Sequence, residues 1–179
     1  MEAGHQEERR DDMQTQSAVL KIRQTEESDL TFVISTENDQ ENTPYIGQWT
    51  FEQHLNSLTN EDMRHLIIEN YSGDKIGYVI LTGLLDSNKA LCIKRIAIQL
   101  KGKGYGKETL KLIIKWVFEN TGTHRLWLDV KDFNSRARHT YESVGFVFEG
   151  TLRDSIFKGG RFESLSIMSI LSHEYKSRN

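Results

Sequence analysis

The sequence predicts an α/β domain of the α+β kind, a mixed and mostly antiparallel sheet of about seven strands with flanking helices. Three observations lead to it. Apolar runs of strand length, such as Arg64 to Asn70, Lys75 to Leu81 and Leu91 to Ile98, follow one another across short turns. After the third run, Leu110, Ile113, Ile114 and Val117 recur at helical spacing. A single strand and a second helical segment then precede the last two strands, so one helix must cross over near the middle of the sheet.

The elements are justified in order. Ala18 to Arg23 alternates as a first strand, and Thr25 followed by Glu26, Glu27 and Asp29 reads as the capped start of a helix to Ser35. Residues 36 to 49, with Asn38, Asp39, Asn42, Pro44 and Gly47, read as loop. Thr50 with Gln53 three residues on is a capping box for a short helix through Leu58, and these front pieces are candidates for a lid. Ser72-Gly73-Asp74 turns a hairpin between the next two strands, and Leu85 to Asn88 turns into the third. The helix after it ends near Asn120 and Gly122. Arg125 to Val130 is a strand, Asn134 to Ser143 a helix stopped by Gly145, and Phe146 to Phe157 and Phe162 to Leu171 are strands joined at Gly159-Gly160.

A chain of 179 residues suits one domain, here residues 17 to 179. Met1 to Gln16 is charged and nearly free of apolar residues, which predicts a mobile tail and lacks the apolar stretch of a signal peptide. A net charge of -3 and a pI near 6.1 argue against a nucleic-acid partner. The lone Cys92 excludes an internal disulfide and a thiolate zinc site, and it reads as a buried structural residue. The histidines His54, His65, His124 and His139 show no metal-ligand spacing, so no metal is expected. With no long apolar run there is no membrane partner, and the expected setting is the cytoplasm. Exposed sheet edges make a homodimer plausible. The front acids Glu26, Glu27, Asp29, Glu37 and Glu41 read as a solvated surface.

The segment Lys101-Gly102-Lys103-Gly104-Tyr105-Gly106-Lys107 stands where the chain turns from strand into helix. Glycines at alternate positions let backbone N–H groups point into one concavity, and the first helical turn adds its unpaired donors and positive dipole end. A dinucleotide fingerprint would need a third glycine at position 107. A nucleoside-triphosphate loop would need Ser or Thr after Lys107. What remains is a grip on a diphosphate through amides and lysines, without a metal. Alone, such a turn is as often a tight connection as a site.

A second constellation stands thirty residues beyond Gly104: Asn134, Ala137, Tyr141, Gly145 and Phe146. Asn134 and Tyr141 are two helical turns apart and share a face, with small Ala137 between them. Read singly, Asn134 is an N-cap and Tyr141 a packing residue, and neither role excludes contact with a ligand.

The two patterns at this separation resemble the GNAT superfamily of acetyl-CoA-dependent N-acetyltransferases. The family's loop motif falls on Lys101, Gly104 and Gly106, with lysine a departure from the usual arginine or glutamine; a shifted frame uses Gln99, Gly102 and Gly104. The segments around Trp127, Gly150 and Gly159-Gly160 are similar to the branch of ribosomal-protein N-terminal and spermidine acetyltransferases. The resemblance implies acetyl-CoA as co-substrate, with Ile96, Ala97 and Ile98 pairing with the pantetheine arm and residues 101 to 107 holding the pyrophosphate. It implies further that Asn134 and Ala137 lie along the cofactor arm and that Tyr141 protonates the departing thiolate. The acceptor is an amine, of a protein N-terminus or of a small molecule. No general base stands on the strand before the loop, where Cys92 and Lys94 occupy the place; Glu149, Glu163 or water are the substitutes. An α-amine, with a lower pKa than a lysine-like amine, needs less help from a base. The alternative is a non-catalytic acyl-CoA-binding module.

Overall fold

The computed structural model describes residues 14–178. Its strands are β1 (Thr15–Gln16), β2 (Leu20–Gln24), β3 (Met63–Asn70), β4 (Lys75–Thr82), β5 (Ala90–Ile98), β6 (Arg125–Lys131), β7 (Val147–Lys158) and β8 (Arg161–Leu171). Its helices are α1 (Leu30–Glu37, entered through a 3₁₀ turn at Glu27–Asp29), α2 (Phe51–Leu58), α3 (Tyr105–Asn120), α4 (Ser135–Ser143) and α5 (Ser172–Lys176). One eight-stranded sheet runs β1-β2-β3-β4-β5-β6-β8-β7, antiparallel except where β5 lies parallel to β6. The α3 crossover makes that parallel pair possible, because a parallel neighbour cannot be reached by a tight turn.

Two elements lie outside the sequence expectation. β1 pairs with Lys21 and Ile22 of β2, so the last two residues of the predicted tail are strand; residues 1–13 of that tail lie outside the described residues. α5 follows β8 directly. The cap of the first helix is also different. Glu26 and Asp29 form its capping box, while the Thr25 hydroxyl is taken by His65 Nδ1 at 2.8 Å. The Thr50–Gln53 box on α2 is as expected.

The central strands are apolar on both faces because both are covered, which is why they read as runs rather than as alternation. On one face Leu66, Ile68, Val79, Leu81 and Ile93 pack under Leu110, Ile113, Ile114 and Val117 of α3. On the other, Ile67, Tyr78, Ile80 and Ala97 pack against Val33 of α1. A bulge fixes the parity of β5. Ile80 faces Arg95 and Leu81 faces Ile93, leaving Lys94 as the extra, exposed residue. The bulge therefore lets Ile93, Ile96 and Ile98 all join the α3 face, and it sends Arg95 and Ala97 to the α1 face.

β5 and β6 pair only over Ala90–Cys92 and Arg125–Trp127. Beyond that point they part, β5 running on to Ile98 and β6 to Lys131. The gap between them opens the sheet from one face to the other. One glycine on the neighbouring strand keeps it in shape. A Cβ at Gly77 would stand 2.3 Å from the Ala97 carbonyl oxygen and 2.8 Å from Ile98 Cδ1, closer than real atoms approach. Gly77→Ala is accordingly expected to cost about 1–3 kcal/mol, a drop of roughly 2–4 °C in Tm per kcal/mol in a thermal melt. An unchanged melt would show that β4 and β5 slide apart freely there.

Candidate active site

A cleft of about 710 Å³ fills the gap between β5 and β6. Ile96, Ala97 and Ile98 line it from β5, and Asn134, Ala137 and Tyr141 from α4. Lys101, Gly102, Gly104, Tyr105, Gly106 and Lys107 close one end. Of the residues assigned from the sequence to the cofactor and the proton transfer, Lys103 alone does not line it and its side chain is exposed; Gly145 and Phe146 of the second constellation also lie outside the lining. Two lining residues at that end were not anticipated. Arg136 precedes Ala137 on α4, and Asn42 from the loop after α1 accepts a hydrogen bond from Lys101 Nζ. Burial, and then the charge of Arg136, lower the pKa of Lys101.

The loop has the conformation its glycines allow. Gly102 and Gly104 have φ of 76° and 79°, a region other residues seldom adopt, and a Cβ at either would meet nothing within 4 Å. The glycines are thus required by the backbone and not by crowding, and the concavity is open. α3 begins at Tyr105 with Gly104 as its N-cap residue, so the motif frame that starts at Lys101 is the one that ends at a helix N-terminus. The N–H groups of that first turn have no intrahelical acceptor, which suits an anion.

Tyr141 sits half-buried with its ring 5.9 Å from that of Phe146 in an edge contact. Burial, and secondly the charge of Asp129, push its pKa up to about 12. Among the described residues its hydroxyl has no hydrogen-bond partner. The Asn134 side-chain oxygen accepts from the Ala137 amide at 3.2 Å, the N-cap role read from sequence, and its amide nitrogen is left for another partner.

Asp129 was not singled out in the sequence, where it is one residue of an ordinary strand. It lines the cleft on β6. Trp127, Asp129 and Lys131 alternate with Leu126, Leu128 and Val130, which enter the α3 core, so the three face the α1 side. Asp129 is exposed to the solvent of the cleft, and partial desolvation by the surrounding wall raises its pKa, offset in part by Lys94. Tyr141 approaches from the α3 side, and the gap between β5 and β6 lets the two groups act on one another.

The carboxylates proposed from sequence as substitute bases are elsewhere. Glu149 is held by the Arg125 guanidinium and by Ser169 Oγ at 2.7 Å, and Glu163 by Lys131 Nζ at 2.6 Å and by Arg161. Neither lines the cleft. Both stand on strands β7 and β8, where cross-strand partners occupy their oxygens. Cys92 does line it, yet burial pushes its thiol up to about 12, so it stays protonated and apolar.

The front acids are not all solvated. Asp29 is buried between Arg23 and Lys75 at 2.7 Å from each, and Glu37 is fully buried. Glu37 accepts from Tyr78 Oη at 2.6 Å, from the Trp49 amide at 2.8 Å and from Arg95 Nη1 at 2.5 Å. Burial alone would raise its pKa, but these partners and His54 outweigh that and hold it below the usual value. His54 Nε2 lies 3.3 Å from Glu37, and His54 Nδ1 is 3.0 Å from His65 Nε2. Residues far apart in sequence thus form one buried chain, Thr25–His65–His54–Glu37–Arg95, ending at the cleft wall. Among the described residues no cluster of His, Cys, Asp or Glu is fit to hold a metal ion, and no helix is long and apolar enough to cross a membrane.

A crossover sheet parted between its parallel strands, with a glycine cradle at a helix N-terminus and a phenol beside the gap, is the architecture of an acyl-group transferase. Residues 19–146 match the model of the acetyltransferase (GNAT) family, and the chain belongs to that family. It is an N-acetyltransferase. Among its relatives is the spermidine N(1)-acetyltransferase of Vibrio cholerae, 27% identical over 168 residues that span 89% of this chain and 97% of that protein. The putative ribosomal N-acetyltransferase YdaF of Bacillus subtilis is 28% identical over 107 residues, 59% of this chain and 58% of its own. The crystal structure of the V. cholerae spermidine N-acetyltransferase in complex with CoA and spermine superposes with a TM-score of 0.81 at 25% identity, covering 89% of this chain and 99% of that one.

Proposed function

We propose that this enzyme transfers the acetyl group of acetyl-CoA to the primary amine of an acceptor by direct attack in a ternary complex. The observation that carries the reading is that a phenol without a hydrogen-bond partner among the described residues, Tyr141, and a carboxylate, Asp129, line one cleft at the opening between β5 and β6. The residues fit the donor. Residues 102 to 107 offer an open cradle for a diphosphate, Lys101, Lys107 and Arg136 supply positive charge, and the amides of Ile96 to Ile98 lie where β6 no longer pairs with β5. An unpaired strand edge of this kind takes an extended amide chain, as pantetheine is. Acetyl-CoA supplies the activated acyl thioester.

The acceptor enters from the α1 side. Its amine attacks as the free base; the C–N bond forms, the C–S bond breaks, the amine's proton passes to Asp129 and the Tyr141 hydroxyl protonates the leaving thiolate. Positioning of the two reactants in one cleft supplies much of the rate. The likeness to spermidine acetyltransferases supports a small amine as acceptor, and that to YdaF supports a protein N-terminus.

The test is release of free CoA thiol from acetyl-CoA across a panel of amines, with initial-rate lines that intersect as a ternary complex requires. Tight acetyl-CoA binding with no thiol release for any amine would instead indicate a binding module. Asp129→Asn is expected to lower kcat/KM by about 10²-fold or more. Because Asp129 must be ionised to accept a proton, the wild-type rate should rise with pH through its raised pKa, and that acidic limb should vanish in the variant. The groups facing Asp129 that shape this limb are Lys94, Cys92 and Tyr141. A limb unchanged in Asp129→Asn would assign it to another group.

A further inference from the structure

The charge lining the cleft is unequal. Its basic residues are Lys94, Arg95, Lys101, Lys107, Lys131 and Arg136, against Glu41 and Asp129. Lys101, Lys107 and Arg136 stand at the glycine cradle, and Glu41 acts on Lys101 at the same end. The acceptor side, on the α1 face, is left with a single carboxylate, Asp129, and with Lys94, Arg95 and Lys131. Lys131 is paired with buried Glu163 at 2.6 Å and Arg95 with buried Glu37 at 2.5 Å. A polycation would therefore meet one anionic group there, and beside it a fixed guanidinium.

Arg95 has no part in the acetyl-transfer steps proposed above, yet it is held firmly. Its guanidinium lies 4.7 Å from the centre of the Trp49 ring. Only Nη1 is bound, to Glu37, among the described residues; Nε and Nη2 have no protein acceptor, yet neither is a sealed, unsatisfied atom. Arg95 lines the cleft, where its side chain keeps 8% of its surface exposed. Behind them, Glu37 is locked by Tyr78, by the Trp49 amide and by the His54–His65–Thr25 chain. A guanidinium with its swing removed, and with N–H groups that have no protein acceptor at a cleft wall, is suited to receive an oxygen acceptor.

We infer that the acceptor is an amine that also carries a carboxylate or carbonyl oxygen, and that Arg95, positioned by Glu37, binds that oxygen while Asp129 receives the amine. This rests on the acetyl-transfer reading above. The chemistry is common to a free amino acid and to the first residue of a peptide.

The experiment measures acetyl-CoA-dependent thiol release by the full chain with lysine, with cadaverine, which is lysine without its carboxylate, with an alanine-led tripeptide and with spermidine. Wild type should prefer lysine or the peptide to cadaverine and spermidine by at least ~10-fold in kcat/KM, chiefly through KM. Which of the two is preferred identifies the source of the oxygen. Arg95→Gln should bring lysine and cadaverine within about threefold of each other, and Arg95→Lys should restore part of the gap, with acetyl-CoA binding unchanged as the check on folding. Cadaverine or spermidine turned over as well as lysine and the peptide, or a preference that survives Arg95→Gln, overturns the inference and leaves acetyl transfer standing. Acetyl-CoA binding without thiol release from any acceptor overturns both.

Discussion

Tyr141→Phe is expected to lower kcat by about 10²- to 10⁴-fold while leaving acetyl-CoA affinity almost unchanged. The ring of phenylalanine keeps the edge contact with Phe146 and the fit against the α3 core, so only the hydroxyl is lost. That hydroxyl is protonated at neutral pH, since burial and Asp129 place its pKa at about 12. A thiolate formed beside it can draw the proton without first waiting for a solvent molecule to enter. Single-turnover rates and a separate binding titration check the prediction. If affinity and turnover fell together, the phenol would be a packing residue and the proton would come from elsewhere.

Lowering the pH from 7 to 5 should remove about 2 kcal/mol of stability through His65 alone. His65 is 2% exposed, and burial, followed by the charge of His54, lowers its pKa from 6.5 to about 3. Glu37 and Asp29 pull the other way and Arg95 adds to the depression. The unfolded chain takes up a proton as pH falls through 6.5, whereas the folded protein does not until near pH 3. The neutral ring therefore stabilises the fold above that window, and the stability is lost as pH drops through it. Urea midpoints at the two pH values measure the loss. His65→Asn should lower stability at pH 7 and shrink the difference between the two pH values; a difference of the same size in the variant would place the sensitivity outside the Thr25–His65–His54 chain.

The parts of this site that are local in sequence were legible there. The glycine loop announces itself because positive φ at Gly102 and Gly104 demands glycine, and Asn134 and Tyr141 announce themselves because helical spacing puts them on one face. The carboxylate proposed as general base was not legible. Asp129 is an acid on an alternating strand, which ordinarily points to solvent, and only the parting of β5 from β6 turns that face into a cleft wall. Glu37 and Asp29 misled for the same reason. An acid near a helix end reads as solvated until partners far along the chain appear, and Glu37 meets Arg95 across 58 residues. The bulge at Lys94 also has no sequence mark, although it decides that Arg95 faces the α1 side.

The sequence by itself determined the succession of strands and helices, the helix that must cross over, the glycine turn at a helix start and the helical face that carries the phenol, because each follows from backbone preference or from side-chain period within a few turns of chain. Only the tertiary structure decided where two parallel strands separate, which carboxylate stands in the opening and which arginine is clamped beside it. Those depend on contacts between residues tens of positions apart, and no local pattern encodes a distance.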